Sequence, residues 1–275
     1  MRTLALLLIA LSWGAQAAGR NDIPSCYHYA SLDARRPADS GRELVIVIDQ
    51  TVKVPLPLKK SVWQHVIRYV QPGDRVVLYQ FSALLQDNYL KRVFDGRLEA
   101  LFTDLHARNN MGMESLKNLD ACLLKQKHYF EQHIGKLMAA SFAAEGDNIA
   151  KSEIIDSLRR ISEDLKEDAA PTKTVVLISD MLENSAFGSF YSNNRIRLLA
   201  PEKELERVTK QGLIADFNGA KIYVAGGGLI DTDAKNNYRS GKIMQQLEAF
   251  WQHYFAASNA ELVSFGAPEL TVEIK

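Results

Sequence analysis

Four short apolar runs constrain this chain more than any other feature. Residues 45–49 read VIVID, 75–82 read RVVLYQFS, 174–180 read TVVLISD and 221–225 read KIYVA. Continuous β-branched and aliphatic residues, without polar alternation, suit strands buried on both faces. Helix-period patterns separate them. Val62, Val66, Ile67 and Val70 share one side of a helix predicted over 57–70, and Ile154, Ile155, Leu158, Ile161 and Leu165 share one side of 152–165. Residues 98–105, 114–142, 202–217 and 241–255 also read as helical, 88–94 as a short edge strand, and 261–265 as a last core strand. Strands alternating with helices imply right-handed crossovers. The expected fold is α/β and three-layered, with a mostly parallel central sheet of about six strands flanked by helices.

The start of the chain bears on its compartment. Arg2 precedes an apolar run, Leu4 to Leu11, too short to span a bilayer, and Ala15-Gln16-Ala17 supplies small residues of the kind a signal peptidase accepts. Residues 1–18 are therefore expected to be a cleaved leader, with a mature chain in the periplasm or outside the cell. Without that leader 32 basic side chains face 33 acidic ones, a formal charge of −1, and nothing favours nucleic acid. Residues 19–42, rich in Pro, Ser, Asp and Arg, read as an arm or loosely packed lead-in. Two cysteines, Cys26 and Cys122, are expected to bond in an oxidising compartment, the alternative being two separate buried thiols.

Two aspartates stand directly after buried runs. If the strands of Asp49 and Asp180 are neighbours, both carboxylates meet at the carboxyl edge of the sheet, where ligands of such folds gather. Paired carboxylates in a partly dry cleft need a cation, a shared proton or a basic partner. Mg²⁺ suits that need, since it takes few protein carboxylates and completes its shell with water and other oxygens. Thr51, two residues past Asp49, and Ser152, before a predicted helix, offer hydroxyls. Ser152 also reads as a plain helix N-cap, and Asn148 is a rival for its place.

At this point the chain resembles a von Willebrand factor A-type domain. That family's metal-ion-dependent adhesion site uses Asp-x-Ser-x-Ser after the first strand, a Thr from a later loop and an Asp after the fourth strand. The matching pieces are Asp49-Gln50-Thr51, the segment Gly73 to Ser82 (GDRVVLYQFS), which is similar to the family's second strand, and Ile178-Ser179-Asp180. The resemblance covers residues 43 to about 266. It implies an exported, non-enzymatic protein-binding module with Mg²⁺ as cofactor and Asp49, Thr51, Ser152 and Asp180 as ligands. Lys53 falls on the third ligand position, where a protonated ammonium does not ligate. Three readings stay open: a metal site with Lys53 turned to solvent, a metal-free site neutralised by Lys53, or a structural remnant.

The resemblance also marks the domain as 43–275 and the helical stretch at about 106–145 as an insertion whose apolar positions read as core packing ahead of a partner groove. Phe187, Phe190 and Tyr191, in the loop after Asp180, are candidates for the partner-binding surface, with pinning of the loop as the plainer role. Gly226-Gly227-Gly228 lacks the spacing of a phosphate-binding loop, and His128 and His133 stand five apart on different faces of a helix, against a zinc pair. Two other functions compete with the binding module: a metal-independent structural component of a cell-envelope assembly, and a metal-assisted hydrolase.

Overall fold

The run at 44–48 becomes the centre of the sheet because apolar layers meet it on both sides. In β1 (Arg42–Asp49), Leu44, Ile46 and Ile48 enter one core cluster, while Val45 and Val47 enter the other. Full burial of each such side chain is worth about 1.5–3 kcal/mol. The computed structural model describes residues 20–82, 90–143, 152–167, 170–192, 195–229 and 241–275. The leader expected at 1–18, Asn148 and the first residues of the predicted edge strand lie outside them.

The strands are β1, β2 (Arg75–Phe81), β3 (Leu90–Arg97), β4 (Thr172–Ile178), the two-residue pair β5 (Tyr191–Ser192) and β6 (Arg195–Ile196), β7 (Ala220–Ala225) and β8 (Ala260–Gly266). Among the described residues the main sheet has six strands in the order β3-β2-β1-β4-β7-β8. Every neighbouring pair is parallel except β2 and β3, which are antiparallel. The sheet therefore grows in opposite directions from β1 and β4, and the point where the order switches lies between them.

The helices are α1 (Cys26–Tyr29), α2 (Leu56–Tyr69), α3 (Leu105–Asn109), α4 (Met113–Ala143), α5 (Ile154–Glu167), α6 (Pro201–Lys210) and α7 (Gly241–Ala257). Val62 and Val66 of α2, with Phe130, Ile134 and Met138 of α4, cover one face of the sheet. Leu158 of α5, Val208 of α6 and Trp251 of α7 cover the other. The expected three-layer α/β architecture is the one observed. Among the described residues no helix is long and apolar enough to cross a membrane.

Two helical expectations fail. Residues 98–104 are irregular, because polar groups there are used by other segments. The Glu99 carboxylate accepts from the Cys26 amide at 2.6 Å and the Ser25 hydroxyl at 2.7 Å and pairs with Arg36 at 2.9 Å, while Asp104 caps α3 through the Ala107 amide. The helix predicted over 202–217 stops at Lys210, since Gly212 takes a left-handed φ of +68° that unwinds it. Ala215 and Phe217 still reach the core from the irregular segment that follows.

The N-terminal arm is tied down rather than loose. The Asp22 amide donates to the Asp95 carbonyl, and the Asp22 carboxylate accepts from the Asp95 amide, so the arm covers the outer edge of β3. Cys26 and Cys122 form a disulfide that joins α1 to α4. At the opposite edge, β8 carries a bulge, with Leu262 facing Ile222 and Ser264 facing Tyr223, so that Val263 is the extra residue.

Candidate functional site

β1 and β4 are in register with Ile48 opposite Ile178, so Asp49 emerges beside Ser179 and Asp180. Asp49 is 1 % exposed and Asp180 6 % exposed. The Asp49 carboxylate is held by hydroxyls. Its Oδ1 accepts from the Thr51 amide at 2.9 Å and the Thr51 hydroxyl at 2.5 Å. Its Oδ2 accepts from Ser179 at 2.7 Å and, at the long distance of 3.5 Å, from Ser152. Thr51 Oγ1 lies 3.2 Å from Ser152 Oγ, which closes the ring of oxygens.

Asp180 has a different shell. Its Oδ1 accepts from the Leu182 amide at 2.9 Å and its Oδ2 from the Tyr191 hydroxyl at 3.1 Å. Burial, and then the charge of Asp49, push the Asp180 carboxyl well above the usual carboxylate range. Burial also raises Asp49, against the lowering effect of the Thr51 and Ser179 hydrogen bonds. The Tyr191 phenol is raised by its own burial and by the charge of Asp180.

The backbone that aims Asp180 is strained. Met181 adopts a φ of +59°, unusual for a bulky residue, directly after the aspartate. Its amide donates to Ser179 Oγ at 2.9 Å and its carbonyl accepts from the Trp251 indole N–H at 2.8 Å. Ser179 thus donates to Asp49 and accepts from Met181, linking both halves of the site. Ser152 reaches it by a different route from the expected helix cap. Its amide and carbonyl pair with those of Asn184, both at 2.9 Å, in an isolated bridge. The N-terminus of α5 is instead met by Glu183, whose carboxylate accepts from the Ile155 amide at 2.9 Å. Burial pushes the Glu183 carboxyl up to about 7.

Asp49, Thr51, Ser152 and Asp180 are brought together. Lys53 is exposed, and the hydrogen-bond partners of Asp49 are hydroxyls and an amide rather than its ammonium. Phe187 and Phe190 do not form a surface. Phe190 is 1 % exposed and meets the Phe250 ring edge-on at 5.0 Å, while Phe187 is buried with Arg207 stacked over its ring at 5.0 Å. Both pin the loop, because its backbone folds back onto α6 and α7. Tyr191, half-buried, faces inward onto Asp180.

Ser179 and Glu183 carry no sequence signal of their own as site residues, although Ser179 lies inside the Ile178-Ser179-Asp180 motif. The Gly226 to Gly228 turn uses its amides internally, Gly228 donating to the Asp180 carbonyl at 2.7 Å. The site's donors are two carboxylates and three hydroxyls, Thr51, Ser152 and Ser179. All are hard oxygens, and the mutual repulsion of the carboxylates is what a divalent cation relieves. In kind, the residues fit Mg²⁺.

No family model matches the chain, and no curated protein matches it. Among solved structures it is similar to an aerotolerance-related membrane protein from Bacteroides fragilis NCTC 9343, at 11 % identity and a TM-score of 0.38, covering 81 % of this chain and 90 % of that one. It is also similar to the PilB minor pilin from Streptococcus sanguinis, at 13 % identity and a TM-score of 0.35, covering 82 % and 57 %. For the type V pili tip protein Mfa5 from Porphyromonas gingivalis the values are 16 %, 0.29, 52 % and 20 %. These likenesses are weak, and the fold is defined by its strand order and parallel register.

Proposed function

We propose that this chain is an exported protein-binding module of the von Willebrand A type, with its contact centred on Asp49, Thr51, Ser152, Ser179 and Asp180. The observation that carries the reading is the pairing of Asp49 with Asp180 at the β1–β4 switch point, ringed by hydroxyl oxygens. Mg²⁺, when bound there, would neutralise the paired carboxylates and offer a coordination position to an acidic side chain of a partner. This chain's own residues hold and orient the carboxylates: Thr51 and Ser179 through Asp49, Tyr191 and Leu182 through Asp180. The disulfide between Cys26 and Cys122 supports an oxidising compartment.

The test is thermal unfolding with Mg²⁺ and with chelator. Millimolar Mg²⁺ is expected to raise Tm, and Asp180→Ala to abolish the rise. An unchanged Tm in the wild-type chain would overturn the metal-dependent form. One observation favours the second reading, a metal-independent structural component: Tyr191 already bonds Asp180 over a site that is almost closed to solvent.

A further inference from the structure

The loop that follows Asp180 does two things at the carboxylate site. Asn184 forms isolated bridges to both Ser152 and Ser189. Two residues after Ser189 comes Tyr191, whose hydroxyl donates to Asp180 Oδ2 at 3.1 Å. The Leu182 amide holds Oδ1, so both oxygens of Asp180 are engaged. Burial, and then the charges of Asp180 and Asp49, raise the Tyr191 phenol, which places its hydroxyl against the pair rather than against one carboxylate. The ring is half-buried over a carboxylate that is 6 % exposed, and so stands between Asp180 and solvent.

The other hydroxyls of the site are of a different kind. Those of Thr51, Ser152 and Ser179 turn their protons aside and present oxygen lone pairs without leaving their places. The phenol instead competes with a cation for Asp180 Oδ2. The backbone that carries it is fixed. The Tyr191 amide donates to Ser189 Oγ at 3.1 Å, and Tyr191 stands opposite Ile196 in the β5–β6 pair. The Phe190 amide donates to the Glu183 carbonyl, and the Phe190 carbonyl accepts from the Arg197 amide, both at 2.8 Å. Successive side chains of a strand point to opposite sides, so Phe190 anchors in the core while Tyr191 faces the site. The phenol therefore leaves by rotating about its own side-chain bonds, with the loop in place.

We propose that Tyr191 is an internal gate of the carboxylate site. Its hydroxyl holds the Asp180 oxygen that a divalent cation would take, and the ring must swing out before the cation, or an acidic group of a partner, gains access. This rests on the metal-dependent reading of the site. The hydrogen bond to be broken has a charged acceptor, enough to favour the closed form about tenfold and to weaken the apparent affinity for the cation by the same factor.

Mn²⁺ titration of the full chain, with the free ion counted by electron paramagnetic resonance, tests the gate. Tyr191→Phe and Tyr191→Val are expected to bind Mn²⁺ about tenfold more tightly than wild type, with Mg²⁺ displacing it and Asp180→Ala binding none. Mn²⁺-free and Mg²⁺-loaded wild type should also differ in the tyrosine band of the near-ultraviolet spectrum, a difference that Tyr191→Phe removes. Phe keeps the ring and Val suits a strand, so a folding defect in one leaves the other decisive, and tighter binding by either supports the gate. If wild type binds Mn²⁺ and the folded variants bind it equally or more weakly, the gate is overturned while the metal reading stands. If wild type and both variants bind none, the metal reading falls and the gate with it.

Discussion

Ser179 shows how much one hydroxyl carries in this fold. It donates to a buried carboxylate and accepts from the amide of a residue in a strained conformation. Ser179→Ala leaves the Met181 amide without that acceptor and removes the shortest bond to Asp49 Oδ2. The expected loss is about 1–3 kcal/mol, read from urea denaturation. Glu183 makes a prediction about pH. Its folded pKa of about 7 lies above its ordinary 4.5, so between those values the native state holds a proton that the unfolded state has released. Stability from this group is full below pH 4.5 and is lost as pH rises through 7. The loss is on the order of 3 kcal/mol. Glu183→Gln keeps an acceptor for Ile155 and is expected to flatten that slope, stabilising the chain at pH 8 but not at pH 4.5; equal effects at both would refute the assignment.

Among the elements, the loop between β4 and α6 departs furthest from what its composition suggests. Aromatics among small polar residues resemble a recognition surface, yet Phe190 packs on Phe250 and Trp251 of α7. Phe190→Ala should therefore behave as a core truncation, costing about 3–5 kcal/mol in chemical denaturation. A stable Phe190→Ala chain would put the ring outside the core. α4 is the other informative element. Its N-terminal half packs on α1 through Leu119 and Leu123, and its C-terminal half packs on the sheet through Ile134 and Met138. The Gln50 side-chain amide donates through Nε2 to the Ser141 carbonyl at 2.8 Å, so α4 also touches the loop that carries Asp49.

At the scale of the molecule, the disulfide links segments 96 residues apart. Closing a loop of that length restricts the unfolded chain, by about 4–5 kcal/mol in the chain-entropy picture. Reduction should lower stability by up to that amount, and Cys26→Ser with Cys122→Ser by the same, measured as the shift between oxidised and mutant unfolding curves. A shift near zero would mean that the Glu99 contacts to Ser25, Cys26 and Arg36 hold the arm without it.

The sequence by itself determined the layers. Runs such as VIVID and TVVLIS have no polar face to give to solvent, so they had to become strands covered on both sides, and an aspartate ending such a run had to lie at the sheet's carboxyl edge. Which helices ended where was less legible. Residues 98–104 and 211–217 have helical spacing, but Glu99 is recruited by the arm and Gly212 unwinds the chain, one a distant contact and the other a backbone conformation. The tertiary structure alone decided that β1 and β4 are neighbours, that Ser179 rather than Lys53 meets Asp49, and that Tyr191 turns inward to Asp180. Those outcomes depend on hydrogen bonds between residues up to 130 positions apart, which no local pattern encodes.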